Sequence, residues 1–214
     1  MPSSPAPRRR RCERCLRPVS HCLCEHISVI ENQTCVLILQ HPDEARHPLN
    51  TARLAVQGLR YADLLVGETF PELGDFLAPF DSVFLLFPDQ GDGVAPASVR
   101  SPQLTPCKPD EARLLVVPDG TWRKARQIIS NNPLLQSLPR LALSAAQPSQ
   151  YKVRKAREPG ALATIEAIAG ALAVLEPQQD FQPLLKPFHV LVDQQIQAMG
   201  PQVYERNHAG KEVS

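Results

Sequence analysis

Short, continuous apolar runs alternate along the chain with segments whose apolar residues recur every three or four positions. Continuous runs are typical of strands buried on both faces of a parallel sheet, whereas the wider spacing predicts helices with one face against a core. The runs occupy residues 35–39, 63–67, 82–87, 113–117 and 140–144; the predicted helices occupy residues 51–60, 121–130, 161–175 and a final segment after Pro187. This alternation predicts an α/β fold, a mostly parallel sheet with helices on both faces.

Polar segments follow three of the predicted strands. Because ligands bind beyond the carboxyl ends of strands in such sheets, these segments are the first candidates for a site. They are His41-Pro42-Asp43-Glu44, Phe87-Pro88-Asp89 and Pro118-Asp119-Gly120-Thr121-Trp122. The proline-rich stretch 88–109 predicts a long loop, and long loops in compact domains are often functional.

The segment after the fourth strand predicts a turn at Asp119-Gly120 and a helix that begins at Thr121. The free N–H groups of a helix N-terminus favour an anionic ligand such as a carboxylate. Asp119 could accept a proton or bind an ammonium group, and Trp122 could stack on a base or lie against a cation. The alternative is structural: Asp119 caps the helix and Trp122 belongs to the core.

Three further segments carry candidate chemistry. His41, Asp43 and Glu44 suit acid–base work, and equally a metal site or a polar loop. Segment 151–157 places one aromatic residue among four cations, which suits a nucleic-acid backbone and a stacked base, or else a solvated loop. Glu166 lies on a predicted buried helix, where a carboxylate requires a partner among the preceding basic residues unless it faces solvent.

Four cysteines cluster near the N-terminus with the spacing Cys12-x2-Cys15-x6-Cys22-x-Cys24. In a cytosolic protein such a cluster indicates a metal site rather than disulfides. Two thiolate pairs are typical of structural zinc, although the second pair here is closer than usual. His21 or His26 could replace one ligand. The alternatives are a reduced tail without metal and a redox pair.

Composition excludes wholesale disorder and adds basic surface. The 214 residues are 43% hydrophobic and 21% charged, with a formal net charge of +1, which is the balance of a globular protein. Positive charge is concentrated in residues 8–17, 123–126 and 152–157, and such clusters bind phosphates even on a nearly neutral protein. Since no apolar run reaches the ~18 residues of a membrane span and no secretory signal is evident, we expect a cytoplasmic protein.

Taken together, these motifs resemble the DTW-domain family. The matching order is the cysteine knuckle, Gln40-His41-Pro42-x-Glu44, Asn50-Thr51, Phe87-Pro88, Asp119-Gly120-Thr121-Trp122, Tyr151-x2-Arg154 and Thr164-x-Glu166-Ala167. The resemblance covers residues 12–200, and the ordered set is far more specific than the Asp-x-Thr-Trp element alone. Val153 and Ala163 depart from the pattern, where more polar residues are expected. The implied regions are a disordered basic tail (1–11), a cysteine-rich zinc knuckle (12–28) and a catalytic domain (29–204).

The DTW family is similar to the knotted SPOUT-type RNA-modifying enzymes, so the resemblance implies a SPOUT-like, knotted fold. It also implies a tRNA-uridine aminocarboxypropyltransferase. Such an enzyme transfers the 3-amino-3-carboxypropyl group of S-adenosylmethionine to N3 of a tRNA uridine and releases methylthioadenosine. Bacterial members look like enzymes for uridine 47 of the variable loop. The implied partner is tRNA, the zinc is structural, and the oligomeric state is left open.

The resemblance implies a role for each motif. Catalysis is expected from Asp119, as base or as the group that orients N3–H, with Thr121 and Trp122. S-adenosylmethionine is expected to bind Phe87, Pro88, Gly120, Arg154, Thr164 and Glu166. Transfer RNA is expected to contact His41, Glu44, Arg123, Lys152 and Arg157. The zinc ligands are Cys12, Cys15, Cys22 and Cys24.

Two other functions fit the same motifs. A SPOUT-type RNA methyltransferase would use the same cofactor but transfer its methyl group, so the mass of the product distinguishes it. A non-catalytic zinc-knuckle RNA-binding protein would bind tRNA without affinity for the cofactor. The presence of Asp119, Thr121 and Trp122 together at a strand end argues against the second of these.

Overall fold

The computed structural model describes residues 10–47, 49–88, 111–143 and 162–200. Within these ranges every predicted strand and helix is present. The strands are β1 (Cys35–Gln40), β2 (Ala62–Val66), β3 (Ser82–Leu86), β4 (Arg113–Asp119) and β5 (Arg140–Leu141). The helices are α1 (Pro42–Ala45), α2 (Ala52–Gly58), α3 (Leu73–Leu77), α4 (Trp122–Asn131), α5 (Pro133–Gln136), α6 (Thr164–Leu175) and α7 (Lys186–Met199).

The described strands form one parallel sheet in the order β2-β1-β4-β3-β5, which confirms the predicted sheet. The central strand β4 is buried along its whole length. Its side chains alternate between two apolar cores, as the two-residue period of a strand requires. Leu115 and Val117 belong to one core, and Leu114 and Val116 to the other. A continuous apolar run therefore forms this strand because both of its faces are covered.

Helices cover both faces of the sheet. On one face, α2, α6 and α7 contribute Leu54, Ile168 and Phe188 to the core. On the other face, α3 and α4 contribute Leu73 and Ile128, and α5 packs beside them. The result is the predicted three-layer arrangement, stabilised mainly by burial of these apolar faces.

The chain leaves β1 and β4 on opposite sides of the sheet. After β1 it passes through α2, on one face, to β2; after β4 it passes through α4, on the other face, towards β5. Where neighbouring parallel strands diverge in this way, a crevice opens between their carboxyl ends. The last residues of the two strands, Gln40 and Asp119, are paired in register. The ends of these two strands, at Gln40 and Asp119, are therefore the candidate site.

Some boundaries differ from the predictions for physical reasons. Strand β4 continues through Pro118 to Asp119, although Pro118 was expected to end it. The pairing of β3 with β4 already ends at Val116, so the missing N–H of Pro118 costs no ladder bond on that side. The short helices α1, α3 and α5 were not predicted because about one turn is too short to show helical periodicity.

The N-terminal knuckle packs onto the α/β domain. Leu23 is fully buried in the same core as α2 and α6. The side-chain amide of Gln57, on α2, donates to the carbonyl of Arg14 at 2.6 Å. Arg17 Nη2 donates to Gln194 Oε1, on α7, at 3.2 Å. The knuckle is therefore held by both apolar and polar contacts with two helices of one face.

Several predictions fall on residues that the structure does not describe. They concern most of the tail 1–11, the proline-rich loop beyond Pro88, the loop 145–160 and the end of the domain beyond residue 200. Among the described helices, none is both long and apolar enough to cross a membrane.

Candidate active site

The carboxylate of Asp119 is held by side chains from two other elements. At the end of β1, Gln40 Nε2 donates to Asp119 Oδ2 at 2.7 Å. The hydroxyl of Thr164, the first residue of α6, donates to Asp119 Oδ1. Asp119 is 8% exposed and Gln40 is fully buried. Hydrogen bonds donated to both oxygens favour the ionised form of this carboxyl group.

The start of α4 excludes the interpretation in which Asp119 caps that helix. The N-cap is Thr121, whose Oγ1 accepts a hydrogen bond from the Lys124 N–H at 3.4 Å. Gly120 permits a close approach here, because a Cβ at this position would lie 2.9 Å from Lys124 Cβ. Asp119 is therefore directed to Gln40 and Thr164 and not to the end of α4.

Two aromatic side chains, at the start of α4 and after β3, pack against each other. Trp122, on the first turn of α4, is half-buried and meets Phe87 edge to face, with ring centroids 5.3 Å apart. Phe87 directly follows β3, the strand next to β4, and the guanidinium carbon of Arg140 lies 5.8 Å from its ring centroid. Arg140 Nη1 also donates to the carbonyl of Pro88 at 3.4 Å. Phe87 is buried and Trp122 packs against the same core, so the structural alternative for Trp122 holds for part of the ring. The exposed part of Trp122 could still stack on a planar base.

His41 is buried at the end of β1, and both of its ring nitrogens have partners. Nδ1 accepts a hydrogen bond from the Asp43 N–H at 3.2 Å, which caps α1. Nε2 lies 3.1 Å from Glu68 Oε1, so Nε2 carries the proton that binds this carboxylate. Glu68 is fixed in turn by Gln127 of α4, whose Nε2 donates to Glu68 Oε2 at 2.7 Å. His41 thus orients the loop after β1 and is poorly placed to act as a general base.

Lys124 joins the two strand ends. Its Nζ lies 3.3 Å from Glu44 Oε1 and 3.2 Å from Asp43 Oδ2. Glu44 is 8% exposed, so little of its carboxylate is accessible to tRNA. Its contact with tRNA stays a prediction. The geometry indicates instead that Lys124 ties α4 to α1 across the crevice.

The remaining predicted site residues occupy different settings. Glu166 Oε2 accepts a hydrogen bond from the Ala163 N–H at 2.8 Å, so it caps the N-terminus of α6. Arg123 is exposed on the first turn of α4, next to Trp122. Three predicted contact residues lie outside the described residues, namely Lys152, Arg154 and Arg157.

The four clustered cysteines converge in space. Their Sγ atoms all lie within 4.8 Å of one another, with 3.6 Å between Cys12 and Cys24 and 3.8 Å between Cys15 and Cys22. Four sulfurs bound at ~2.3 Å to a tetrahedral zinc ion would lie about 3.8 Å apart. The donor set and its spacing therefore fit structural zinc. The distances are far longer than a disulfide bond of about 2.05 Å, and these cysteines are free thiols.

The electrostatics of the cluster favour a bound cation. The backbone N–H groups of Cys15 and Arg14 donate to the Cys12 sulfur and lower the pKa of that thiol to about 6. Burial, with the neighbouring sulfurs, raises the pKa of Cys24 to about 12. Without a cation, the crowded sulfurs disfavour a second thiolate. A divalent ion would bind the thiolate forms of both Cys12 and Cys24 and offset their mutual repulsion.

The two histidines considered as substitute ligands have other contacts. His21 Nδ1 lies 2.9 Å from Ser20 Oγ, and His26 Nε2 lies 3.2 Å from Glu25 Oε1. Among the described residues, the metal-ligating group consists of the four cysteines. This supports the four-cysteine site over the mixed alternative.

Sequence reasoning missed three residues that organise the site. Gln40 stood in a quoted motif but received no role. Lys124 was read as part of a basic cluster, and Glu68 was not singled out at all. Their contacts with Asp119, Glu44 and His41 join segments far apart in sequence, so only the presence of Gln40 in the motif offered a signal.

The described residues define an α/β protein with polar and aromatic side chains at the switch point of a parallel sheet and a four-cysteine cluster that could bind a metal. The model of the DTW domain family matches residues 9–196. The chain belongs to the DTW-domain family, as its motifs implied.

Known relatives extend over most of the chain. A tRNA-uridine aminocarboxypropyltransferase 2 of Drosophila melanogaster is 34% identical over 206 residues, covering 91% of this chain and 78% of the relative. The protein of that name from Macaca fascicularis is 30% identical, covering 92% and 67%. A tRNA-uridine aminocarboxypropyltransferase A of Arabidopsis thaliana is 28% identical, covering 79% and 74%. No solved structure matches the chain.

Proposed function

We propose that this protein is a tRNA-uridine aminocarboxypropyltransferase that transfers the 3-amino-3-carboxypropyl group of S-adenosylmethionine to N3 of a tRNA uridine. The observation that carries the proposal is the pair of hydrogen bonds that Gln40 and Thr164 donate to the carboxylate of Asp119 at the end of β4. Membership of the DTW-domain family and the names of the relatives support the same activity.

The reaction needs one proton acceptor and accurate positioning. A bond forms between uridine N3 and the methylene carbon next to the sulfonium, the bond from that carbon to sulfur breaks, and methylthioadenosine leaves as a neutral thioether. Asp119 accepts the N3 proton and then releases it to solvent; if Asp119 only orients N3–H, a water molecule accepts the proton directly. Because the leaving group is already activated, proximity and orientation supply most of the rate enhancement.

The site must present the methylene carbon, and not the methyl group, to uridine. We assign this task to groups that bind the donor at both ends. The N–H groups at the start of α4, after Gly120, suit the methionine carboxylate, with Arg154 as a second candidate. Phe87, Pro88 and Trp122 form the surface proposed for a planar base, either the adenine or the target uracil. Thr164 and Glu166 shape the opposite side from α6.

The tRNA surface is proposed from charge. Arg123 extends into solvent beside Trp122, and Arg10, Arg11 and Arg14 are exposed on the knuckle. Together with Lys152 and Arg157, these cations would neutralise phosphates, which contributes salt-dependent affinity without base specificity. His41 and Glu44, both largely buried, are the further tRNA contacts that the resemblance implies.

Finer features of the proposal follow from the resemblance. They are uridine 47 as the target and a SPOUT-like knot; the cytoplasmic location is the expectation from the sequence. The five-stranded parallel sheet with its site at the β1/β4 switch point is compatible with the SPOUT-like arrangement. Structural zinc would be held by Cys12, Cys15, Cys22 and Cys24, and the transfer needs no step at the metal.

The deciding experiment is nucleoside mass spectrometry of unmodified tRNA incubated with S-adenosylmethionine and the protein. The expected product is a uridine heavier by one aminocarboxypropyl group, with methylthioadenosine released in equal amount. Asp119→Asn, which keeps the shape of the side chain, should reduce the rate by about 100-fold or more. Mapping the modified nucleotide tests position 47.

Two results would contradict the proposal. A methylated nucleoside with release of S-adenosylhomocysteine would indicate a methyltransferase. Absence of any product, combined with absence of S-adenosylmethionine binding and retained tRNA binding, would indicate a non-catalytic RNA-binding protein. Full activity of Asp119→Asn would leave the transferase intact but remove Asp119 as the base.

A further inference from the structure

The side-chain amide of Gln40 makes a hydrogen bond through its nitrogen but none through its oxygen among the described residues. The residue is fully buried, and its Nε2 donates to Asp119 Oδ2 at 2.7 Å. Its Oε1 is buried and has no hydrogen-bond partner among the described residues. A buried acceptor left unpaired is unfavourable and uncommon. The orientation of this amide is therefore determined by Asp119.

The opposite orientation of the amide is disfavoured by the charge of Asp119. If the amide were flipped, Gln40 Oε1 would face Asp119 Oδ2, and two acceptors would repel each other. The observed orientation is the one that favours an ionised Asp119. The second donor, the Thr164 hydroxyl, reaches the other oxygen from α6. Two neutral donors on different elements therefore bind the two oxygens of the carboxylate.

We propose that Gln40 is a positioning residue for Asp119, and that its buried amide, with Thr164, keeps this carboxylate ionised and aimed at the reacting N–H of the substrate. This inference rests on the proposed function only for the identity of that substrate. It adds a role to a residue that has no assigned part in binding or catalysis. Gln40 acts through Asp119 and is not itself a catalytic residue.

The charged groups around Asp119 are engaged with partners that a change at Gln40 would leave in place. On the β1 side, His41 binds Glu68. On the side of α4, Lys124 binds Glu44 and Asp43. On α6, Glu166 caps the helix. A neutral substitution at Gln40 removes one donor from Asp119 and alters none of these charges.

The test is a pH titration of Asp119 followed by carbon NMR in full-length protein labelled at aspartate Cγ. The Asp119 signal is assigned as the one lost in Asp119→Asn. Gln40→Met keeps the length and apolar volume of the side chain but removes the donor. Since a hydrogen bond to a charged group is worth about one pKa unit or more, we expect the midpoint of Asp119 to rise by that amount. The acid limb of the kcat/KM profile should move to higher pH with it.

Three further variants serve as controls. Ile38→Val changes a fully buried apolar core side chain two residues earlier on β1, removes no hydrogen-bond donor, and should leave the midpoint unchanged. Thr164→Val should raise the midpoint, and Thr164→Ser should restore it. If Gln40→Met fails to fold, Gln40→Glu replaces it: two adjacent carboxyl groups share one proton, so one midpoint should rise well above its ordinary value.

An unchanged Asp119 midpoint in folded Gln40→Met, or two ordinary midpoints in Gln40→Glu, would overturn the proposal. The NMR readout does not depend on turnover. If the wild-type protein makes no aminocarboxypropyl uridine but the midpoint shifts as expected, the proposed function fails and the positioning role stands. If product forms and the midpoint does not move, the positioning role fails alone.

Discussion

Lys124 Nζ and Glu44 Oε1 lie 3.3 Å apart and connect the first turn of α4 to α1. The two side chains are only 17% and 10% exposed, so this ion pair is shielded from solvent. Each helix follows a different strand of the switch point, α1 after β1 and α4 after β4. The pair therefore ties together the two segments that follow β1 and β4, the strand that ends at Asp119.

Lys124→Met should destabilise the protein by about 1–3 kcal/mol, because Glu44 is left as a largely buried carboxylate without this cation. The free energy of unfolding, measured by urea denaturation, gives the effect. The matched control is Glu44→Gln in the Lys124→Met background, which should recover part of the loss. If the change in the free energy of unfolding for the double variant equals the sum of the changes for the two single variants, the pair makes no net contribution.

Gly120→Ala should disturb the start of α4. The added Cβ would lie 2.9 Å from Lys124 Cβ, and neither atom can move without a backbone shift. We expect a loss of about 1–3 kcal/mol, as for other overpacked sites, and a fall in activity of at least tenfold.

A matched control for that substitution is Gly74→Ala, within α3. Its Cβ would meet only Leu134 Cδ1 at 3.8 Å, and alanine is the better helix former. Gly74→Ala should therefore be neutral or stabilising by thermal denaturation. Equal stability of the two variants would contradict the close-approach argument for Gly120.

The sequence predicted the parts of this molecule whose signals are local. Apolar runs predicted the strands because β1 and β4 are buried on both faces, and the Asp119-Gly120-Thr121 pattern predicted the turn and the helix after it. The cysteine knuckle was also predictable, since all four ligands lie within a short segment.

The contacts that complete the site could not be predicted in the same way. The pairing of Gln40 with Asp119 depends on the strand order, which places β4 beside β1. The contact of His41 with Glu68 depends on β2 lying on the other side of β1. Pro118 was expected to end β4, and this was wrong. Its missing N–H would cost a hydrogen bond only if β3 extended beside it, and the pairing of β3 with β4 ends before Pro118. Each of these facts is a property of the sheet and not of any one segment.

Zinc removal should weaken the whole domain, because the knuckle contributes Leu23 to the main core. We expect about one zinc per chain by elemental analysis, and a fall in Tm of about 10 °C after chelation, from the linkage of metal binding to folding. Cys12→Ser should lose most of the metal.

The control for the metal experiment is Cys35→Ala, at the start of β1. Cys35 lies outside the cluster, and burial raises the pKa of its thiol, so it is not a competing ligand. Its zinc content should match that of the wild type. Loss of zinc from Cys35→Ala, or retention by Cys12→Ser, would exclude the four-cysteine site.

Leu16→Gly should stabilise the knuckle. Leu16 has φ 57°, in the left-handed region, and is 42% exposed. A side chain in this conformation costs about 1–2 kcal/mol, against about 0.4–1 kcal/mol for the added freedom of glycine in the unfolded chain. The expected gain is a rise in Tm of about 1–4 °C.

The control for this prediction is Val19→Gly. Val19 is another exposed apolar residue of the knuckle, but its φ is negative. This variant should have a lower Tm than the wild type; a higher Tm would indicate a general effect of glycine.

Trp122 should report ligand binding directly, since it is the single tryptophan of the chain and meets Phe87 at the edge of the crevice. Stacking of a base on an aromatic ring is worth about 1–3 kcal/mol, so Trp122→Ala should weaken binding of S-adenosylmethionine or tRNA by about 5- to 150-fold. Trp122→Phe keeps an aromatic face and should lose less than about fivefold in affinity.

Tryptophan fluorescence of the wild type distinguishes the two ligands. Quenching by methylthioadenosine alone assigns the ring to the donor, whereas a response only to tRNA assigns it to the target base. Unchanged fluorescence with both ligands, together with unchanged affinity in Trp122→Ala measured by calorimetry, would place Trp122 in the core alone.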